Sequence, residues 1–327
     1  MNNNVLIITS SYDAHADFLA PKIAQQGVRV FRFNTDQLGR YEIDFRMCPK
    51  SFSLRNKKEK WILSGSDINS VWYRKPSPDR TFDVSFNNES KKFFRSETKE
   101  FIKSITFALK DSFWVTAPQL LYEARLKTVQ LAAAENLGLC IPRTLVSRDR
   151  RIIREFFHEC REQMAMKTLK LQYIESENSY YTLRTQEICK TDLQDSSLYI
   201  SPSMFQEKIE AVYELRIVAI GRRLFPFKVV CTKKDRALDI KSHDMKHLQH
   251  SPCEISIDLR TKILLLLDQF SLPFSSMDFL VDAQGTEYFV DLNPNGQWLW
   301  LELLTGTVMS DTFAKMLVTR KLPVEHL

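Results

Sequence analysis

The stretch MDFLVDAQGTEYFVDLN (residues 277–293), near the end of the 327-residue chain, predicts two antiparallel strands joined by a tight turn. Apolar and β-branched residues fill residues 277–281 and 287–292, and the segment DAQG between them is rich in turn formers. We therefore expect a hairpin here. Its far end, where the second strand stops, is where the chemistry of this sequence begins.

Three oxygen-bearing side chains meet at that end of the hairpin. Asp278 lies early in the first strand, and Asp291 and Asn293 lie late in the second. Antiparallel pairing brings them close together, and Asp291 and Asn293 share a face because side chains alternate along a strand. Pro294 and Gly296 then stop the strand and leave this end open. Such ligands suit Mg²⁺. The alternative is a pair of solvated carboxylates at a sheet edge. The strand end considered by itself favours this alternative over a metal site.

Two lysines add positive charge to the pattern. Lys167 lies in MAMKTL (residues 164–169), where its apolar neighbours predict a buried strand. A lysine there requires an anion to offset its desolvation, and a triphosphate would serve. Lys127 lies on the predicted helix ARLKTVQLAA, where by itself it would be an ordinary surface lysine.

The segment MFQEKIEAVYELRI (residues 204–217), which lies between Lys167 and the last hairpin, fits a nucleotide. Residues 205–209 predict an extended backbone that could pair with an adenine edge, with Glu207 or Lys208 facing the base. Glu214, seven residues after Glu207, could reach a ribose hydroxyl. Arg216 shares a strand face with Glu214 and would meet phosphates.

The N-terminal segment predicts a βαβ unit with a parallel sheet. Residues 10–15, which follow the first strand, contain no glycine, so we do not expect a Rossmann dinucleotide site. Further strands are predicted at residues 61–63 and 71–73. Arg74 and Lys75 follow the second of these in WYRKP, where strand ends of open sheets present functional groups. A surface turn with two solvated cations is an equal alternative.

The remaining segments divide the chain. We expect one helix over residues 88–110, a second over 120–136 and a polar loop over 235–251, with a boundary between residues 115 and 120. The loop contains His243, which with His247 and His250 has the spacing of one helix face. A metal site there is a minor alternative, because no helix signal supports it.

Composition limits the possible partners. A net charge of +6 and a pI of about 8.9 mildly favour an acidic partner. No zinc-finger or RNP-type motif suggests nucleic acid, and no apolar run is long enough to cross a membrane. The six cysteines form no C-x-x-C pair and no signal peptide opens the chain, so we expect reduced thiols in a cytoplasmic protein.

In their order and spacing, the motifs described above resemble those of the ATP-grasp superfamily. The matching features are a first lysine, a second lysine in a strand, the hinge QEKIE, E-x-R, D-x-F and D-x-N, across roughly residues 115–310. The resemblance implies an α/β (α+β) ATP-grasp fold behind an N-terminal Rossmann-like pre-ATP-grasp domain. It divides the chain into residues 1–117, a central subdomain at 118–200 and a C-terminal subdomain at 201–327.

A narrower resemblance rests on WYRKP and DLNPNGQW, which are similar to motifs of the microviridin-type (graspetide) peptide maturases. It implies an ADP-forming ligase that phosphorylates Asp or Glu side chains of a ribosomal precursor peptide. It then joins them to Thr or Ser hydroxyls, or to Lys amines. The partner would be a precursor with a leader and an acidic core, and we expect a homo-oligomer, as a dimer.

The resemblance also implies the site. The cofactors are ATP and Mg²⁺, and Arg216 and Arg74 are the expected catalytic residues, with Arg74 holding the acceptor or a carboxylate of the core. The nucleotide-binding residues are Lys127, Lys167, Gln206, Glu207, Lys208, Ile209, Glu214, Arg216 and Asn293. The metal ligands are Asp278, Asp291 and Asn293. Trp298 and Trp300 are expected to pack the exit from the last strand.

Three features depart from the family pattern. No glycine-rich lid follows Lys167, Asp291 stands where many members have Glu, and the Asp-Trp-Arg of the peptide maturases has only Asp239-Ile240-Lys241 as a counterpart. Two rival functions stay open. One is another ATP-grasp ligase, such as one adding amino acids, and the other is a nucleotide-dependent binding protein without catalysis.

Overall fold

The computed structural model describes residues 4–77, 86–169, 173–176, 179–182, 185–232 and 247–324. Within them the chain forms an N-terminal lobe, a small central sheet and a larger C-terminal sheet. No helix in this part of the chain has the length and apolarity needed to cross a membrane.

The N-terminal lobe contains two sheets. Its elements are β1 (Asn4–Thr9), α1 (Ala14–Ala24), β2 (Arg29–Asn34), β3 (Tyr41–Met47), β4 (Lys50–Asn56), β5 (Trp61–Ser64), β6 (Ile68–Tyr73), α2 (Asn88–Ala108) and β7 (Phe113–Val115). A parallel sheet has the order β2-β1-β6-β7, so the predicted βαβ unit is confirmed. An antiparallel sheet, β3-β4-β5, was not predicted. Its strands alternate buried and exposed residues, and that pattern was present in YEIDFRM (residues 41–47).

Two short helices follow where one was predicted. They are α3 (Pro118–Ala124) and α4 (Lys127–Asn136). The single helix over residues 120–136 is wrong because Leu126 has an extended backbone (φ −77°, ψ 103°). The break makes Lys127 the first residue of α4, at the end of the helix that attracts anions.

The central sheet is antiparallel in the order β12-β9-β13-β8. The elements here are β8 (Thr144–Ser147), α5 (Arg150–Glu159), β9 (Met164–Lys167), the hairpin β10 (Tyr173–Ser176) and β11 (Ser179–Thr182), β12 (Gln186–Ile188) and β13 (Ser203–Glu207). Helix α5 covers one face of the sheet through Ile153, Phe156 and Phe157, which pack on Phe205. The opposite face turns toward the C-terminal sheet.

The C-terminal sheet has the order β16-β15-β14-β17-β18. Its elements are β14 (Tyr213–Ile220), β15 (Arg223–Cys231), β16 (Leu248–Pro252), α6 (Ile257–Gln269), β17 (Phe274–Val281) and β18 (Glu287–Asn293), followed by α7 (Leu299–Thr305) and α8 (Ser310–Thr319). The predicted loop over residues 235–251 is wrong at its end, where β16 pairs with β15. Residues 233–246, which include His243 and Asp239-Ile240-Lys241, lie outside the described part.

One side of this sheet is packed along its whole length. Leu215, Ile217 and Ala219 of β14 lie in a core with α4 and α6. On the other side, Val218 and Ile220 join a core with α7 and α8, whereas Glu214 and Arg216 extend the same face beyond that core. The sheet is therefore apolar on both faces at one end and polar on one face at the other. The polar end carries the predicted site.

A β-bulge in the last hairpin gives β18 the same division. Phe279 pairs with Phe289 but Asp278 pairs with Asp291, so Val290 has no partner across the strand. Phe289 and Leu292, three residues apart, can both enter the packed core because of this extra residue. Strict alternation would have placed Asp291 on the same side as Phe289. The bulge instead puts Val290, Asp291 and Asn293 on the polar face.

The N-terminal and C-terminal parts share a hydrophobic core. Trp72 of β6 and Leu19 of α1 pack with Trp298, Phe313 and Leu317 from the last two helices. Trp298 is fully buried, and its indole stacks on Phe313. The predicted packing role of Trp298 is confirmed. The predicted division at residue 117 stays a prediction, and this core crosses it.

Candidate active site

A cavity of ≈ 430 Å³ lies between the central and the C-terminal sheets. Ala165 and Lys167 of β9 line one wall, and Leu280 and Val290 of the last hairpin line the other. The segment of residues 206–214, which links the two sheets, closes one side. The cavity therefore has apolar walls with polar groups at its edges, as small-molecule sites usually do.

The predicted hinge occupies this link. The backbone N–H of Lys208 donates to the Gln163 carbonyl at 2.9 Å, and that of Val212 donates to the Val281 carbonyl at 2.7 Å. One end of the hinge is thus bonded to the central sheet and the other to the C-terminal sheet. Glu207 and Ile209 line the cavity between them, as does Glu214 on β14.

Gln206 gives the cavity an unsatisfied acceptor. Its side chain is 1% exposed, and Nε2 donates to Thr144 Oγ1 at 2.9 Å. Its Oε1 is buried and accepts no hydrogen bond from the described residues. Leaving a buried amide oxygen unpaired costs about 1–3 kcal/mol, which a ligand donor such as an exocyclic amine would recover. Lys208 also lines the cavity, and its Nζ donates to Glu187 Oε1 at 2.6 Å.

The structure brings the two predicted phosphate lysines together. The Lys127 ammonium at the start of α4 donates to the carbonyl of Thr168 at 2.7 Å. Thr168 directly follows Lys167, which lines the cavity from β9. Residues 40 positions apart thus place two cations at one side of the same cavity, beside the N-terminal end of a helix.

A row of charged side chains crosses the open end of the C-terminal sheet. Arg216, Asp278 and Asp291 occupy directly paired positions on β14, β17 and β18, and Ser276 pairs with Asn293 one step along. Asp278, Asp291 and Asn293 therefore lie on one face, as predicted. Their two carboxylates and one amide oxygen are the ligand types that Mg²⁺ accepts.

Arg216 is held in this row by several partners. Its Nη1 donates to Asp278 Oδ1 at 2.8 Å, and Nη2 donates to Ser276 Oγ at 3.3 Å and to the Gln297 carbonyl at 3.1 Å. Trp300 places its ring 5.7 Å from the guanidinium. Trp300 thus borders the charged row in addition to packing the strand exit.

The Trp300 ring also packs on His250, with centroids 4.8 Å apart. Burial, and then the charge of Arg216, lower the pKa of His250. Because His250 lies in strand β16, the helical spacing that linked it to His243 does not hold. No group of three His, Cys, Asp or Glu side chains suited to a metal occurs within the described ranges.

Arg74 lies behind the charged row instead of in the cavity. It is 1% exposed, and Nη1 donates to Asn295 Oδ1 at 3.0 Å and to the Asn295 carbonyl. The Asn295 amide donates back to the Arg74 carbonyl. Burial lowers the pKa of Arg74 to about 10, against the opposing effect of Asp13. The alternative of a solvated surface cation is wrong for Arg74. The motifs WYRKP and DLNPNGQW, which carried the resemblance, are in direct contact.

His15 was not predicted and secures the next turn. Its Nε2 accepts hydrogen bonds from the backbone N–H groups of Trp298 and Leu299, each at 3.1 Å. Burial, followed by the charges of Arg74 and Lys75, lowers the pKa of His15 to about 3. The neutral imidazole therefore caps α7 from the N-terminal lobe. No local pattern in the sequence marks this role.

Gln130 is a second residue that the sequence did not single out. Its Nε2 donates to the carbonyls of Ala124 at 2.6 Å and Leu292 at 2.7 Å, and its Oε1 accepts from the Leu292 N–H at 3.0 Å. The buried amide bonds α4 to the strand that carries Asp291. A polar residue on the inner face of a predicted helix was the available signal.

Comparisons with known proteins agree with this architecture. Residues 4–120 match the family model of the MvdD pre-ATP grasp domain. A search of curated protein sequences finds no match. Among solved structures, the macrocyclase MdnC from Microcystis aeruginosa MRC, bound with precursor peptide MdnA, is similar with a TM-score of 0.87 and 23% identity. That likeness covers 98% of this chain and 100% of the other.

Two further solved structures share the fold over nearly their whole length. One is a Chryseobacterium gregarium RiPP-associated ATP-grasp ligase in complex with ADP and a leader and core peptide (TM-score 0.84, 24% identity, 98% and 97% covered). The other is the ATP-grasp ligase PsnB with a precursor variant, Mg and ADP (TM-score 0.76, 15% identity, 98% and 99% covered). The predicted fold class, an ATP-grasp fold with a pre-ATP-grasp domain, is confirmed. So is the predicted resemblance to peptide-modifying ATP-grasp proteins.

Proposed function

We propose that this protein is an ATP-dependent ligase that crosslinks side chains within a ribosomal precursor peptide. An Asp or Glu carboxylate of the peptide accepts a phosphoryl group, and a Thr or Ser hydroxyl or a Lys amine then displaces phosphate. The products are a macrocyclic ester or amide, ADP and phosphate. Three solved structures that share this fold carry a precursor peptide, ADP or Mg, which supports the choice of substrates.

One observation carries the proposal: four separate segments place complementary groups around one cavity. Lys127 and Lys167 supply positive charge for phosphates, and the Gln206 amide oxygen is free to accept from a base. Asp278 and Asp291 lie opposite each other on β17 and β18, the strands whose Leu280 and Val290 line the cavity. A binding protein without catalysis would not require the paired carboxylates.

The roles of the residues follow from their positions. ATP, when bound, supplies the phosphoryl group and Mg²⁺ offsets its charge, with Asp278, Asp291 and Asn293 as the ligands of the metal. Glu207, Ile209 and Glu214 line the part of the cavity suited to the base and ribose. Phosphoryl transfer depends mainly on positioning and charge neutralisation.

Arg216 is the group best placed to stabilise charge that develops on the carboxylate. Its guanidinium is fixed in the charged row by Asp278 and the Gln297 carbonyl. Arg74 is proposed to act from behind the row, by holding Asn295 and the loop that follows the metal ligands. We further propose a dimer and a cytoplasmic location, where ATP and reduced thiols are available.

The test is coexpression with a short, acidic, Thr-containing open reading frame encoded beside the gene, followed by mass spectrometry of the peptide. We expect loss of one water per crosslink, with one ADP and one phosphate released for each. AMP and pyrophosphate would contradict the acyl-phosphate route. Lys167→Ala should abolish both turnover and peptide modification, and full modification by that variant would remove the phosphate role of Lys167.

A further inference from the structure

Helix α2 of the N-terminal lobe is packed against the protein only near its end. Ile102 and Ile105 join the core of the lobe. None of the residues 88–101 is buried. Helices in proteins are stabilised mainly by burying one apolar face, so the first two-thirds of this 21-residue helix have little packing to hold them.

The outward face of α2 carries one stripe of exposed side chains. Side chains three or four positions apart share a helix face, and the stripe follows that spacing. Its members are Glu89, Lys92, Phe93, Ser96, Glu100, Lys103 and Phe107. The charges alone would indicate a solvated face. Two exposed rings, with Phe93 at 60% and Phe107 at 73% exposure, favour an interface instead.

The charges of the stripe change sign symmetrically about Ser96. Glu89 lies seven positions before Ser96, and Lys103 lies seven positions after it. Lys92 lies four positions before it, and Glu100 lies four positions after it. When a second copy of the helix runs antiparallel with Ser96 on a two-fold axis, each of these carboxylates faces an ammonium of the other copy. Two opposite-charge pairs, each occurring twice, follow from one axis.

Other arrangements of the same face bring like charges together. An axis one turn earlier places two copies of Lys92 against each other, and an axis one turn later does the same with Glu100. Parallel helices would oppose every charge with its own copy. Ser96, at the centre of the stripe, is both neutral and small, so an axis there avoids repulsion and permits close approach of the two helices.

The helix itself satisfies only part of the stripe. Lys103 Nζ lies 2.6 Å from Glu100 Oε1 in the same helix. The side chains of Glu89 and Lys92 form no ion pair within the part of the chain that the structure describes. A second copy would supply both with a partner.

Two more exposed rings fit the same register. Phe86 lies just before the helix and is 43% exposed. It is ten positions before Ser96, and Phe107 is eleven positions after it. The antiparallel arrangement therefore brings Phe86 of one copy to Phe107 of the other, at both ends of the charged pairs.

We propose that the outward face of α2 is the surface through which two copies of this chain associate, as an antiparallel helix pair with Ser96 on the two-fold axis. The proposal rests on the proposed function only for the existence of a dimer, and it adds the surface and the register. Residues 89–103 span about 21 Å of helix. One helix pair of this length buries less surface than a standard interface, so we expect a Kd on the order of micromolar that rises with salt.

Oxidative crosslinking of the full-length protein reads the register directly. Ser96→Cys places two thiols on the axis and should give a disulfide-linked dimer on a non-reducing gel, with the link located by mass spectrometry. The two copies of residue 100 lie about 12 Å apart along the helices, so Glu100→Cys should link at least about tenfold more slowly. The parent, oxidised in parallel, reports linkage through its exposed native cysteines, Cys48, Cys140 and Cys189. Equal or faster linkage of Glu100→Cys would overturn the register.

Charge reversal tests the pairs themselves. Lys92→Glu and Glu100→Lys each create like-charge contacts at two symmetric positions, and each should weaken self-association at least about tenfold in sedimentation velocity at low salt. Mixed in equal amounts, the two variants should associate with each other, because every reversed charge then faces an opposite one. Lys58→Glu, at an exposed lysine elsewhere in the lobe, should leave association unchanged. A mixture that stays monomeric would contradict the pairing.

These measurements use no ATP, metal or peptide, so their outcome is separable from that of the ligase assay. A dimer in sedimentation that links at neither cysteine would overturn this surface and leave the dimer standing. A protein that is monomeric at every concentration would overturn both. Peptide modification in the coexpression assay would support the ligase in either case.

Discussion

Asp291 differs from its neighbours in carrying a charge on the polar face directly opposite a second carboxylate, Asp278. Asp291→Asn keeps the shape and removes the charge. Because a hard dication gains most from anionic oxygens, we expect a loss of turnover of at least about a hundredfold, and a smaller loss for Asn293→Ala. The measurement is turnover titrated against Mg²⁺. Near-normal turnover of Asp291→Asn at ordinary Mg²⁺ would make this stretch a strand end only.

Gly296 is required for a close approach of two segments. A β-carbon at this position would overlap Ser276 Oγ and lie 2.8 Å from Ser276 Cβ, both in the buried strand β17. We expect Gly296→Ala to lower the free energy of unfolding by about 2–4 kcal/mol, measured by denaturant titration. Gly285→Ala is unsuitable as a control because its backbone φ is +81°, so Gly39→Ala, with open space around it, is used. Unchanged stability of Gly296→Ala would show that the loop can move.

At the scale of elements, the effect of the bulge in β18 on the cavity can be tested separately from the folding of the hairpin. Deleting Val290 restores regular alternation, since Phe289 and Leu292 would still face the core and Asp291 and Asn293 the site. We therefore expect the deletion variant to fold, with stability within about 2 kcal/mol of the parent. It should bind ADP roughly tenfold more weakly, because an apolar wall of the cavity is lost. Calorimetric titration with ADP and Mg²⁺ measures this.

Val290→Ala is the matched control for the deletion. It keeps the bulge and shortens the wall, so its ADP affinity should fall between those of the parent and the deletion variant. If the deletion variant does not fold, the bulge is needed for the hairpin itself, and unchanged ADP affinity of Val290→Ala would then contradict the role of Val290 in the cavity wall.

The elements also show what sequence reasoning can reach. The last hairpin, the Lys167 strand and strand β14 were predictable because each has a strong local pattern of apolar residues. The break at Leu126 and the strands β3, β4 and β16 were missed, since many of their residues are exposed; β3 and β4 did carry the alternation described above. Contacts such as Arg74 with Asn295, 221 positions apart, have no local signature at all.

At the scale of the whole molecule, one histidine links the lobes. His15 caps α7 only while neutral, and its pKa in the folded protein, about 3, lies below the ordinary histidine value of 6.5. The unfolded chain therefore binds a proton as pH falls below about 6.5 while the folded chain does not, so stability is lost between that pH and about 3. We expect a loss of about 2 kcal/mol from this group between pH 7 and pH 5.

The check is a series of denaturant titrations between pH 7 and pH 5 on the parent and on His15→Gln. Glutamine keeps an acceptor but does not titrate. The variant should therefore be less stable than the parent at pH 7. Its loss of stability between pH 7 and pH 5 should be smaller than that of the parent by the contribution of His15. Equal slopes for the two proteins would remove His15 as the origin of the pH dependence. His158→Gln, at an exposed histidine, should leave the slope unchanged.

The core that joins Trp72 and Leu19 to Trp298 and Phe313 has a consequence for engineering chimeras. Residues 4–120 match a family model of their own, yet Trp72 and Leu19 of this range pack in one core with apolar residues from the segment 298–317. A graft of this lobe onto another protein of the same fold would expose that apolar surface unless residues 298–317 were transferred with it. Recombination between proteins of this fold is therefore expected to succeed when both ends of the gene are inherited from one parent and only the middle is exchanged.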